Sequence, residues 1–449
     1  MKLLGLLMGC ALAAGAASND TFLIRDADVY PVTGPVMKGV SVLVQDGKIA
    51  DIAPKIVAPK GIRVVDAKGL RVYPGMIDSA TELGLQEIEL VRETEDTGEL
   101  GEFMPQLRAL SAVNPASEHF PVVRVNGITS VMTFPSSGST GGGGGGGRFG
   151  GTERQFISGQ AALIHTDGWT WDDMAIKPGA AVHLIFPAMP RAGRGGAAAI
   201  ETTPTEVAGS AAATGVTAAK RTYDEQIAKV NQFFDDARNY QKAKAADLPG
   251  FRRNLKFEAM IPVLDGKVPV AISASRASAI HDAVQFADKQ RVKIVILQPR
   301  DVAKAAPELK AKDIPIVLGR VLALPENEDD AYDAPHTLAA EAYKVGVKFA
   351  FGTFGNEFVR NLPYEAAAAV AFGLPYDEAL KALTINPAQI WGVADQIGSI
   401  EKGKWADLTV TNGDPLEIQT EYKHIYIKGR EVELTNRQTE LYRKYSNRP

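Results

Sequence analysis

The feature that most constrains this chain is an alternation that runs through its middle. Eight short apolar runs of strand length, at 72–78, 128–135, 160–165, 181–187, 268–274, 293–298, 314–318 and 348–352, are spaced along about 280 residues. Several of the intervals carry apolar residues three and four apart, the period of an amphipathic helix, at 223–244, 277–290, 337–345 and 364–372. Repeated strand–helix units predict an α/β fold with a parallel sheet covered by helices. Eight such units predict a closed (β/α)8 TIM-like barrel.

The two ends of the chain read differently. Between 22 and 72, β-branched runs alternate with turn dipeptides such as Asp46-Gly47, and the same style returns at 408–432 around Asn412-Gly413-Asp414-Pro415 and Lys428-Gly429. Two β segments at opposite ends can pair, so 19–72 and 391–449 are expected to form one small β-sandwich lobe, leaving 73–390 as the barrel. A chain of 449 residues exceeds the roughly 250–300 at which one core stops growing, which suits two bodies. Two low-complexity insertions interrupt the barrel. The stretch 136–151 holds seven consecutive glycines at 141–147, and 191–219 is rich in Ala, Gly and Thr. Both are expected to be flexible, and each follows a strand, so both should emerge at the C-terminal rim. No Gly-Lys-Ser/Thr ends the glycine run, which favours a linker over a phosphate loop.

The start of the chain reads as an export signal over 1–18. Lys2 precedes an apolar run at 3–14 that is too short to span a bilayer, and Ala14-Gly15-Ala16 is a small-x-small cleavage pattern. An exported protein, periplasmic or extracellular, with its signal ending at about residue 16 is expected. Lipidation at Cys10 is the alternative, because Leu7-Met8-Gly9-Cys10 loosely fits an acylation box. Cys10 is the only cysteine, so signal removal leaves neither a disulfide nor a thiolate ligand. A formal net charge of −4 offers no basic face for nucleic acid, and no later segment is apolar enough to span a membrane.

The run Val64-Val65-Asp66-Ala67-Lys68-Gly69-Leu70-Arg71-Val72-Tyr73-Pro74-Gly75-Met76-Ile77-Asp78 resembles the entry into the barrel of amidohydrolases, near the imidazolonepropionase-like branch. Asn361-Leu362-Pro363-Tyr364-Glu365-Ala366, Thr384-Ile385-Asn386-Pro387-Ala388 and Gly398-Ser399-Ile400-Glu401-Lys402-Gly403-Lys404-Trp405-Ala406-Asp407-Leu408 resemble that family's closing helices and its return to the β lobe. The resemblance covers nearly all of the chain after the signal. It implies hydrolysis of carbon–nitrogen bonds other than peptide bonds, with one or two divalent metals activating a water at the barrel mouth. The implied ligands are a His-x-His after the first strand, a Lys or Glu on the fourth, a His on each of the fifth and sixth, and an Asp on the eighth.

Carried over residue by residue, those positions hold other side chains. The His-x-His pair falls on Ala80 and Glu82, the fourth strand reads Val182-His183-Leu184-Ile185-Phe186, and the fifth offers Ser273 or Ser275. The sixth offers Gln298 and the eighth Phe354. The six histidines are His119, His165, His183, His281, His336 and His424, and no two stand at His-x-His or His-x-x-x-His spacing. His165 and His183 come nearest to candidacy, at the ends of the third and fourth strands. No metal or other cofactor is therefore expected. Asp78, Glu82, Arg276, Gln298, Arg300 and Asp301 are expected near the mouth, as a small polar pocket or as charges that pair, Glu82 with Arg276 or Arg300.

Three readings follow. The favoured one is a catalytically silent amidohydrolase relative that serves as a structural or regulatory partner of an active paralogue or of a second copy of itself. The others are a periplasmic module whose barrel mouth binds a small amide or peptide-like ligand, and a hydrolase with an unorthodox site using Glu82, His165 or His183.

Overall fold

The computed structural model describes residues 20–88, 91–135, 155–189, 208–246, 250–326 and 330–448, with no side-chain description over 208–216. The expected signal segment, the glycine run and 191–207 lie outside the described residues. No helix among the described residues is long and apolar enough to cross a membrane.

The first five strands, β1 (Phe22–Val29), β2 (Met37–Gln45), β3 (Lys48–Ala53), β4 (Arg63–Asp66) and β5 (Arg71–Pro74), form the N-terminal part of the lobe. The barrel strands follow as β6 (Met76–Thr81), β7 (Ile128–Thr133), β8 (Ile157–His165), β9 (Ala175–Ile185), β10 (Val270–Ser273), β11 (Ile294–Leu297), β12 (Ile316–Leu318) and β13 (Phe349–Phe351). The lobe is completed by β14 (Leu408–Thr411), β15 (Tyr422–Ile427) and β16 (Arg430–Glu431).

In the lobe, β5 pairs with β14 and so joins the two ends of the chain. The first half of β1 pairs with β4 and its second half with β5. The switch comes at a bulge where Asp26 sits at φ 59°, and there the sheet divides into two leaves. Ile24, Val42, Val72, Ile400, Leu408 and Tyr426 fill the space between them, with Tyr426 stacked on Phe22 at 4.3 Å.

The run expected as a single strand over 72–78 is broken at Gly75. The chain up to Pro74 belongs to the lobe, and the barrel begins at Met76. A side chain at Gly75 would place its Cβ 2.1 Å from Thr129 Oγ1, so only glycine lets β6 approach β7 here. At the other boundary, Trp391, Val393 and Ile397 pack with the barrel interior, which therefore extends past the expected limit at 390.

All eight expected barrel strands are present, in the order β6 to β13, but they are not all parallel. β8 runs antiparallel to both β7 and β9. The sequence reading began the fourth strand at 181. It begins at Ala175, which leaves nine residues after His165, fewer than the dozen or so that a parallel crossover needs. The seam between β13 and β6 is closed by Phe354 N–H donating to Ala80 O at 2.8 Å and by Thr353 donating to the Asp78 carboxylate.

Inside the barrel, Ala80, Ala161, Ala181 and Ala271 leave room that the indole of Trp391 occupies, edge-on to Phe134 at 5.8 Å. The alternate residues, among them Leu184, Ile272, Ile296 and Ile316, face outward against Ile280, Val284 and Leu309 of the covering helices. Those helices include Ala277–Gln290, Val302–Ala311, Ala334–Val345 and Leu362–Ala371. A helix also spans Ala208–Ala245, so the insertion expected to be flexible over 191–219 is helical from Ala208 onward. Alanine is the strongest helix former, and the run 211–213 lies inside this helix.

Candidate functional site

The C-terminal ends of the strands converge on a small recess lined by Thr81, Glu82, Phe134, His183, Ser273, Leu297 and Phe354. The recess offers about 20 Å³ to the centres of water-sized molecules, room for roughly one water. β9 and β10 run parallel in register and bring His183 and Ser273 onto adjacent strands. His183 Nε2 lies 2.9 Å from Ser273 Oγ. On the other side of the ring, Nδ1 lies 3.0 Å from Pro135 O and 2.8 Å from Ser158 Oγ, while the Ser158 hydroxyl itself donates to Pro135 O at 2.8 Å.

A carbonyl oxygen only accepts, so the ring proton belongs on Nδ1, leaving Nε2 to accept from the Ser273 hydroxyl. Burial pushes the His183 imidazole down to about 4, only partly offset by the Pro135 carbonyl. The ring is therefore neutral at neutral pH.

The expected site residues divide between this recess and its surroundings. Glu82, Ser273 and Phe354 line it. Ala80 is fully buried at the seam. Phe354 adopts φ 55°, and its ring packs where a side chain at Gly352 would come within 2.9 Å, so glycine there admits the ring. Asp78 lies within the seam, accepting from Ala80 N–H, Thr353 N–H and the Thr353 hydroxyl at 3.1, 3.1 and 2.5 Å. Burial raises its carboxyl to about 7 despite those bonds.

Ser275, Gln298, Arg276, Arg300 and Asp301 are not among the lining residues. The Ser275 carbonyl accepts from Arg300 N–H at 2.7 Å. Gln298, at φ 52°, donates its N–H to Val317 O and lays its side chain toward Gly319. Arg276 is exposed at the start of the helix Ala277–Gln290. Arg300 pairs with Glu326 at 2.7 Å, and Asp301 caps that same helix through Ala277 N–H at 3.1 Å. The expected polar pocket is thus dispersed into local structure.

The reversal of β8 moves His165 to the opposite end of the barrel. There it opposes Ser130 in register and lies 3.6 Å from Asp407 of the lobe. It is 1% exposed; burial, with Lys428 and Arg430 nearby, pushes it down to about 3, while burial raises Asp407 to about 7. The same reversal delivers Ser158 to the mouth. Sequence reasoning missed Ser158 because its third strand began at 160 and ran the other way.

The metals implied by the resemblance do not fit these residues. Zinc needs three or four lone-pair donors converging on one point, whereas Ala80 presents a methyl group and Phe354 a ring. His183 has one nitrogen protonated toward Pro135 and the other accepting from Ser273. Among the described residues, no group of three or more His, Cys, Asp or Glu is placed to hold a metal ion.

The amidohydrolase family model matches residues 270–435, from β10 to the end of the lobe. A crystal structure of an amidohydrolase from Thermotoga maritima MSB8 superimposes with a TM-score of 0.75 and 26% identity, covering 92% of this chain and 99% of the other. Amidohydrolase tasK of Hapsidospora irregularis is 25% identical over 416 residues, which take in 86% of this chain; the chain spans about two fifths (39%) of that relative's length. Phenylurea hydrolase B shares the fold, with a TM-score of 0.53, 16% identity, and coverage of 92% and 97% of the two chains. In its barrel, its composite lobe and its C-terminal third, the chain is similar to proteins of the amidohydrolase superfamily.

Proposed function

We propose that this protein is an exported amidohydrolase-fold protein that has lost metal-assisted cleavage of carbon–nitrogen bonds and acts as a structural or regulatory partner, joined to an active relative or to a second copy of itself. The observation that carries the reading is the state of His183. It is the one imidazole lining the recess among the described residues, and both of its nitrogens are engaged by protein groups. Binding a metal through Nε2 would require breaking the bond from Ser273, with no second imidazole beside it to complete the site. The export part of the reading rests on Lys2, the apolar run 3–14 and Ala14-Gly15-Ala16.

The test is elemental analysis of the protein purified without chelator, together with a zinc titration followed by calorimetry. Substoichiometric metal and no tight isotherm are expected. About one tightly held equivalent per chain would overturn the proposal. Light scattering, alone and mixed with a metal-loaded amidohydrolase from the same source, tests the partner role. A monomer that gains no mass on mixing would refute it.

A further inference from the structure

We propose that Ser273 is a histidine-activated nucleophile whose hydroxyl forms a covalent adduct with small acyl-type or sulfonyl-type electrophiles without help from a metal. This goes beyond the partner role, and the two stand or fall separately. The arrangement has the three parts that activate a serine: the nucleophile, a base within hydrogen-bond reach, and a group that orients the base. Ser273 Oγ donates to His183 Nε2 at 2.9 Å, and Pro135 O with Ser158 Oγ holds Nδ1–H at 3.0 and 2.8 Å. All of this lies on rigid elements: β10 carries Ser273, β9 carries His183 and the start of β8 carries Ser158.

His183 is 3% exposed and neutral at neutral pH, so its Nε2 lone pair faces the serine rather than water. Ser273 lines the recess with Phe134, Leu297 and Phe354; the space there holds about one water, so a reagent of a few heavy atoms reaches Ser273 as these side chains shift aside.

With methanesulfonyl fluoride as probe, the Ser273 Oγ–S bond forms and the S–F bond breaks. Fluoride departs, and the hydroxyl proton passes to His183 Nε2 and then to solvent. Two features favour a lasting adduct over turnover. The neighbouring Ala274 N–H is committed to Leu297 O at 3.3 Å, so it does not stabilise an oxyanion. Pro135 O carries no full charge to steady an imidazolium, as a carboxylate would.

The experiment treats the full chain, after dialysis against chelator, with methanesulfonyl fluoride and locates the label by peptide mass mapping. One methanesulfonyl group on Ser273 is expected, at a rate that rises through about pH 4 with His183 and then levels toward neutrality. Ser273→Ala should take no label at this peptide, and His183→Gln should slow labelling by about 100-fold, the usual scale of general-base assistance. Ser158→Ala removes one of the two contacts to Nδ1 and should slow it by only a few-fold, which serves as the second variant if His183→Gln does not fold. Melting curves establish the fold of each variant. An unlabelled Ser273 in folded protein would overturn the proposal. So would equal labelling in wild type and both His183→Gln and Ser158→Ala, or labelling scattered over surface Tyr and Lys.

Discussion

Replacing Asp78 with Asn should leave the protein unchanged near pH 4 and stabilise it by a growing margin as pH rises toward 7. The carboxyl is fully buried at the seam and raised to about 7 from an ordinary 3.8, chiefly by burial. Between those two values the folded chain holds a proton that the unfolded chain has released, so stability falls as pH rises, by about 1.4 kcal/mol per unit. Across roughly three units that amounts to about 4 kcal/mol, lost once the pH passes 7. Asparagine resembles the neutral acid in shape. Its Oδ1 accepts from the same two amides, and its Nδ2 donates to Thr353 Oγ1, whose hydroxyl turns to Gly355 O, already 3.3 Å away. Urea unfolding of wild type and D78N at a series of pH values between about 4 and 8 should therefore give curves that coincide near pH 4 and separate to about 4 kcal/mol in favour of D78N by pH 8. A difference between the two proteins that does not vary with pH, or a D78N protein less stable at pH 8, would refute the reasoning.

Acid acts in the opposite sense through His183, whose value drops from 6.5 to about 4. The unfolded ring takes a proton that the buried ring refuses, so about 3 kcal/mol is lost as pH falls from 6.5 to 4, and His183→Gln should remove that slope from the stability curve. Gly75→Ala places a methyl 2.1 Å from Thr129 Oγ1 and should cost about 3 kcal/mol, read as a lower melting temperature, with Thr129→Gly restoring part of it. Trp391→Ala empties space inside the barrel and should cost about 3–5 kcal/mol; added indole should raise the melting temperature of that variant and leave wild type unmoved.

The strand positions were legible because alternating apolar side chains mark a buried strand whatever its direction. Direction was not legible, because it depends on connection length, and Ala175-Ile176-Lys177-Pro178-Gly179 does not look like a strand start. Proline and glycine are tolerated there by a register shift in the pairing of β8 with β9. Ala80 and Ser273 lie on β6 and β10, and Glu82 and Phe354 just after β6 and β13, strands that the apolar pattern locates. The His183–Ser273–Ser158 cluster was out of reach, since its three members come from three strands and one of those runs backward. The pairing of Arg300 with Glu326 was not legible either, because the two lie far apart in sequence, whereas that of Asp301 with Lys304 has the i, i+3 spacing of a helix start.

The backward strand bears on how the barrel assembles. β7, β8 and β9 are consecutive in sequence and adjacent in space, each antiparallel to the next; β7 and β8 are joined across a long insertion, whereas β8 and β9 form a hairpin whose near end pairs Ile164 with Ala175. The parallel strands β10 to β13 meet only after a helix has been laid between them, so even their nearest partners, such as Ile296 and Ile316, are farther apart along the chain than Ile164 and Ala175. Loop closure costs least for the nearest contacts. The β8–β9 hairpin is thus the pairing of the barrel able to form first, and as it extends from Ile164 and Ala175 it brings Ser158 and His183 together before β10 delivers Ser273.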